Sequence, residues 1–136
     1  SCTGGGIGAA LTGVSGSSAV YKGGIISYTN WVKQNILGVD GALLEREGAV
    51  SAPVAEAMAC GARKVLDADI AVSVTGLAGP GGDEYGNPVG RVYIGYSDHM
   101  VTEVLEFTFS GDREAVRAQA VEEALKLILK MNKENP

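Results

Sequence analysis

Histidine occurs once in this chain, at His99, and cysteine twice, at Cys2 and Cys60. With one histidine, a serine–histidine triad exists only if His99 itself takes part. His99 lies in the polar stretch Ser97-Asp98-His99, which reads as a hairpin turn. The two cysteines are isolated and lack C-x-x-C spacing, so they are most simply reduced thiols of a cytoplasmic protein. No metal-ligand cluster stands out, and no metal or cofactor is expected. Net charge is −5 with no basic stripe, which argues against a nucleic-acid partner, since phosphate neutralisation needs clustered Lys and Arg. No signal peptide and no long apolar run is visible, so neither secretion nor membrane insertion is expected. The glycine-rich stretches lack the Gly-Lys-Ser/Thr ending of a P-loop, which disfavours a nucleoside triphosphatase.

What is present is a folded core in 136 residues, 46% hydrophobic and 20% charged, with 20 glycines. That size suits one domain. Gly5 to Thr12 reads as a short helix of small residues. Ser17 or Ser18 is placed to cap a helical turn through Lys22, closed by Gly23. Gly24 to Tyr28 reads as an Ile-rich strand. Thr29 or Asn30 caps a short helix containing Trp31, Lys33 and Ile36, ended by Gly38. Asp40 to Glu47 is a further helical piece. Ser51 opens a helix with Pro53 in its first turn and Val54, Met58, Gly61 and Val65 as its buried stripe. Asp69 to Thr75 and Arg91 to Tyr96 read as strands. Val101 to Phe109 alternates, with Val101, Glu103, Leu105, Phe107 and Phe109 on one face. The tight Ser97–Met100 link makes the last two strands an antiparallel hairpin. Arg113 to Met131 is a long helix with Val116, Ala120, Ala124, Leu127 and Met131 on one side. The expectation is an α/β fold, a three-layer α/β/α sandwich with a mixed sheet. The long apolar edge from Val101 to Phe109 further suggests a homodimer.

Hydroxyls near an amine point to acyl transfer. A lysine held in an apolar pocket loses stability as a cation, its pKa falls, and it can then take a proton from a serine. Lys33 is the candidate, with Trp31, Val32 and Ile36 expected around it; otherwise it is a solvated lysine on a short amphipathic helix. Ser18 is the candidate nucleophile, with an N-cap as its alternative role. Tyr28 either relays a proton and holds substrate or is an ordinary half-buried tyrosine. Thr75-Gly-Leu-Ala-Gly-Pro-Gly-Gly82 follows a buried strand, where ligands collect in open α/β sheets and where backbone N–H groups can meet an oxyanion or phosphate. Ser1 to Gly6 has the same character, leading into a helix. Arg113 opens the last helix and suits a phosphate by its fork, or is a surface arginine beside a cap.

In order along the chain, Ser-Cys-Thr-Gly-Gly (1–5), Gly-Ser-Ser-Ala-Val (16–20), Tyr28-Thr-Asn30 with Lys33, Leu-Gly-Val (37–39) and Gly-Ala-Val-Ser (48–51) precede three more motifs. These are Thr-Gly-Leu-Ala-Gly-Pro-Gly-Gly (75–82), Pro-Val-Gly (88–90) and Ser-Gly-Asp-Arg (110–113). Spanning nearly the whole chain, this pattern resembles the C-terminal domain of the CinA family, the nicotinamide-nucleotide amidases. The resemblance implies a hydrolase that deamidates nicotinamide mononucleotide to nicotinate mononucleotide and ammonia by a serine–lysine mechanism, in pyridine nucleotide salvage. By position it makes Ser18 the nucleophile and Lys33 its base, with Tyr28 and Asn30 in support. Ser1, Thr3 and Thr75 with Gly76 would line the substrate site, and Arg113 would meet the phosphate. Ser1 remains a rival nucleophile. The alternative is a catalytically silent nucleotide-binding module linked to competence or DNA damage response. The family's domain usually begins with a helix and strand ahead of the Ser-Cys-Thr-Gly-Gly loop. The expectation is therefore one domain over residues 1–136 that lacks this pair, which residues outside the sequence or another chain would supply. In some members a nucleotide pyrophosphatase domain precedes it.

Overall fold

The computed structural model describes residues 1–134. Five helices flank a three-stranded sheet: α1 Gly6–Thr12, α2 Asn30–Asn35, α3 Gly41–Glu47, α4 Ala52–Leu66 and α5 Arg113–Glu134. The strands are β1 Ala71–Gly76, β2 Arg91–Ser97 and β3 Thr102–Thr108, in the order β1-β2-β3. Both pairs are antiparallel, with Val74 opposite Ile94 and Ile94 opposite Leu105. The expected α/β class is thus observed. No parallel pair occurs among the described residues, so the sheet is antiparallel rather than mixed.

Side-chain alternation assigns the two faces. Val74, Val92, Ile94 and Tyr96 point to one face and meet Val116, Ala120, Ala124, Leu127 and Met131 of α5, all buried. Leu105, Phe107 and Phe109 extend this face, with the two phenylalanine rings stacked 5.0 Å apart. Full burial of each large side chain here stabilises the fold by about 1.5–3 kcal/mol. On the other face lies α4: Ser73 Oγ donates to the Ala55 carbonyl at 2.7 Å, and Arg63 donates to Ser97 Oγ at 3.1 Å. Beyond α4 is a second cluster of Leu37, Val39 and Leu44 against Val54 and Met58. Helix, sheet and helix therefore form the three expected layers.

Close approach explains one glycine. A Cβ at Gly61 would lie 1.9 Å from the Leu37 carbonyl oxygen, so α4 and the chain leaving α2 touch backbone to backbone there. Val65, assigned to the same stripe, is instead 52% exposed. Two other expectations fail locally. The serine pair does not cap a helix: Gly16 takes the N-cap position, and Ser17–Ala19 is a single 3₁₀ turn without a side-chain cap bond. Gly24 to Tyr28 is not a strand, because it pairs with no edge of the sheet; Ile25 packs onto the second cluster while Ile26 stays exposed.

Candidate active site

The site begins where β1 ends. Past Gly76 the chain turns outward, held at its base by Leu77 N–H donating to the Arg91 carbonyl at 2.9 Å and Gly90 N–H donating to the Leu77 carbonyl at 2.8 Å. Gly76 has no room for a side chain: a Cβ would sit 2.6 Å from Val92 Cγ2. The following segment, Leu77 to Gly82, walls a cavity of about 460 Å³, whose other walls are Ser1, Cys2, Tyr28, Lys33, Ala49, Val50, Thr75 and Arg113. Asp83 and Asn87 brace this wall: Asn87 Nδ2 donates to Asp83 Oδ2 at 2.8 Å and to the Val50 carbonyl at 3.0 Å.

Lys33 reaches the cavity from α2. Thr29 caps that helix by accepting from Val32 N–H at 3.3 Å, which sets the turn that carries Lys33 inward. The lysine is only 2% exposed. Its Nζ donates to the Ser27 carbonyl at 2.7 Å and lies 3.5 Å from the Tyr28 carbonyl. Burial pulls the amine down from the ordinary 10.5 to about 8. Trp31 and Ile36 do not supply that burial, being 65% and 43% exposed.

Ser1 sits across from Lys33. Its backbone nitrogen donates to the Val74 carbonyl at 2.7 Å, and Oγ lies 3.3 Å from the same oxygen. Gly4 and Gly5 follow with φ of 61° and 95°, a left-handed pair open to glycine that delivers the chain into α1. Thr75 Oγ1 donates to the Ala49 carbonyl at 2.7 Å, tying β1 to the opposite wall. Arg113 Nη1 donates to the Gly79 carbonyl at 2.8 Å, leaving the rest of its fork for another partner.

These walls are built from segments throughout the chain, and the family model for the CinA C-terminal domain matches residues 1–132. The chain belongs to the CinA C-terminal domain family. A CinA-like protein of Synechococcus sp. (strain RCC307) is 51% identical over 131 residues, covering 94% of this chain and 31% of that protein. One of Thermosynechococcus vestitus is 48% identical, covering 100% of this chain and 33% of its own length. The chain thus spans about a third of the curated relatives it matches. The crystal structure of competence damage-inducible protein A from Klebsiella pneumoniae superposes with a TM-score of 0.97 at 35% identity, over 100% of this chain and 84% of that one.

Against this CinA framework, the structure brings together Ser1, Tyr28, Lys33, Thr75, Gly76 and Arg113 of the residues singled out from sequence. Ser18, Thr3 and Asn30 do not line the cavity. Ser18 is exposed on the 3₁₀ turn, and Asn30 is exposed at the start of α2. Thr3 is buried at 5% and turns its carbonyl toward α5. Sequence reasoning passed over Cys2, on the cavity wall beside Ser1, and Arg117, one helical turn beyond Arg113. The four-residue spacing of the two arginines was the available signal. Among the described residues no helix is long and apolar enough to cross a membrane.

Proposed function

We propose that this cavity is an amidase site that deamidates nicotinamide mononucleotide, with Ser1 as nucleophile and Lys33 as general base. The observation that carries this reading is Lys33 itself: a buried amine, depressed to about 8, facing the same cavity as the Ser1 hydroxyl. A neutral amine has two hydrogens and one lone pair. The Ser27 and Tyr28 carbonyls stand where they take the hydrogens, which leaves the lone pair for the cavity.

Lys33 removes the Ser1 proton as Oγ bonds to the carboxamide carbon, and the carbonyl π electrons move onto oxygen. Backbone N–H groups of the Gly76–Gly82 loop hold that oxyanion; one such donor is worth roughly 3–4 kcal/mol in the transition state. The oxyanion collapses, the C–N bond breaks, and Lys33 returns the proton to the departing ammonia. Water, deprotonated by Lys33, then attacks the ester and releases the carboxylate and the Ser1 hydroxyl. Tyr28 stands beside the ring, and the free part of the Arg113 fork meets the phosphate. The test is ammonia release from nicotinamide mononucleotide by the full-length protein and its Ser1→Ala variant. Turnover that survives the substitution rejects this assignment. No ammonia from a folded wild type rejects the reading altogether and leaves the silent nucleotide-binding module.

A further inference from the structure

Helix α5 carries two arginines one turn apart, and each holds a different loop that contributes residues to the cavity. Arg113 Nη1 donates to the Gly79 carbonyl at 2.8 Å, on the glycine-rich loop after β1. Arg117 Nη2 donates to the Thr3 carbonyl at 3.0 Å, on the loop that carries Ser1. The Arg117 guanidinium also lies over Gly4, 3.6 Å from where a Cβ would be. Neither arginine forms an ion pair with Asp or Glu among the described residues, and each anchors one Nη on a backbone carbonyl. Both stand close enough to Cys2 for their charge to act on its thiol: burial raises the pKa of that group, while Arg117 and Arg113 oppose the rise.

We propose that Arg117 is a positioning residue which, with Arg113, uses α5 as a common ruler to set the separation between the Ser1 loop and the Gly76–Gly82 loop. The inference rests on Ser1 being the nucleophile of the amidase reading above. The two loops belong to segments 75 residues apart in sequence, and β1 also links them, through the bond from Ser1 to Val74. A helix is stiff over one turn, about 5.4 Å. Two planar guanidinium groups on successive turns therefore fix the loops to one rigid body. The attack distance and the oxyanion distance are both measured across this gap. A lysine in either place keeps the charge and loses the fork. Misplacement by about 1 Å costs about 10²-fold in rate, and it acts in the transition state, where both loops must contact the reacting carboxamide at once.

The test is Arg117→Met and Arg117→Lys in the full-length protein. Arg117→Met should lower kcat for nicotinamide mononucleotide about 10- to 100-fold and leave KM within about twofold. Arg117→Lys should recover only part of the loss. Hydrogen–deuterium exchange gives a readout that needs no turnover. It should rise in residues 1–9 of Arg117→Met and stay unchanged over residues 77–90, and Arg113→Met should show the reverse. Unchanged exchange in residues 1–9, exchange raised evenly along the chain, or an unaffected kcat would each overturn the proposal. If the wild type releases no ammonia while exchange responds as expected, the bracket stands and the amidase reading falls.

Discussion

Replacing Lys33 by methionine should abolish turnover and leave the fold more stable at neutral pH. The structure sets the size of both effects. Lys33 is 2% exposed, and burial lowers its amine from 10.5 to about 8. At pH 7 the lysine is protonated in both the native and unfolded chains. Folding then bears the cost of enclosing an ammonium, about 3 kcal/mol at about 1.4 kcal/mol per pH unit of depression. Methionine fills a similar volume without charge. It forfeits the hydrogen bond to the Ser27 carbonyl, worth about 1–1.5 kcal/mol. The net gain is about 1–2 kcal/mol, or about 3–7 °C in Tm for a domain of this size. The sign then depends on pH. The native pKa lies below the unfolded one, so between pH 8 and 10.5 the unfolded chain binds a proton that the native chain does not. Wild-type stability rises with pH across that window and the methionine variant does not follow. The variant's advantage at pH 7 should therefore vanish by about pH 10.5. Catalysis moves the other way: loss of a general base costs about 10²–10⁴-fold. Wild-type kcat should climb about tenfold per pH unit below 8 and level off above it. Thermal melts at pH 7 and 10 and ammonia release from pH 6 to 9.5 decide the matter. A folded Lys33→Met that turns over normally, or one that melts several degrees below wild type at pH 7, refutes this account of the lysine.

The serine assignment separates cleanly: Ser1→Ala should lose at least about 10³-fold in kcat, whereas Ser18→Ala, on its exposed turn, should stay within about twofold. If Ser18→Ala were the inactive variant, the cavity would not be the reactive centre. Arg113→Met should raise KM for nicotinamide mononucleotide about 10- to 100-fold and leave KM for nicotinamide riboside unchanged, since only the former carries the phosphate. Equal losses on both substrates would assign Arg113 to bracing Gly79 alone. Gly61→Ala should cost about 3 kcal/mol, and about 10 °C in a melt, because its Cβ would fall 1.9 Å from the Leu37 carbonyl. A variant as stable as wild type would mean α4 and the α2–α3 connection are not in contact.

Elements with a sustained hydrophobic period are legible in the sequence alone. The α5 stripe of Val116, Ala120, Ala124, Leu127 and Met131 is buried as its spacing requires, and the β2–β3 hairpin follows from alternation and a short polar link. Short apolar runs are not legible in this way. Ile25 and Ile26 look like strand residues, but strand pairing is a tertiary property and no edge meets them. The same limit acts on the site. Lys33 is recognisable as a buried-amine candidate because it stands among apolar neighbours in sequence. The structure places it on one cavity with Ser1, Ala49, Val50 and Thr75, up to 42 positions away. Ser18 draws weight from sequence proximity to Lys33. Ser1, 32 positions away, gains its place from the chain's return along β1, fixed by the bond to Val74.

The identity of Lys33's neighbours matters as much as its burial. An enclosed lysine normally has a carboxylate partner, and that partner holds the proton on nitrogen. Among the described residues Lys33 forms no ion pair, and the acceptors at its Nζ are the neutral Ser27 and Tyr28 carbonyls. Carbonyls orient an amine without charge to keep it protonated, so burial prevails and the pKa falls. An aspartate or glutamate against the same Nζ would steady the fold and switch the base off. A carboxylate placed on the cavity wall by Val50→Glu should therefore raise the lysine pKa and move the rising limb of the pH–rate profile above 8. A profile left where it was would show that the charge environment of Lys33 does not govern proton transfer.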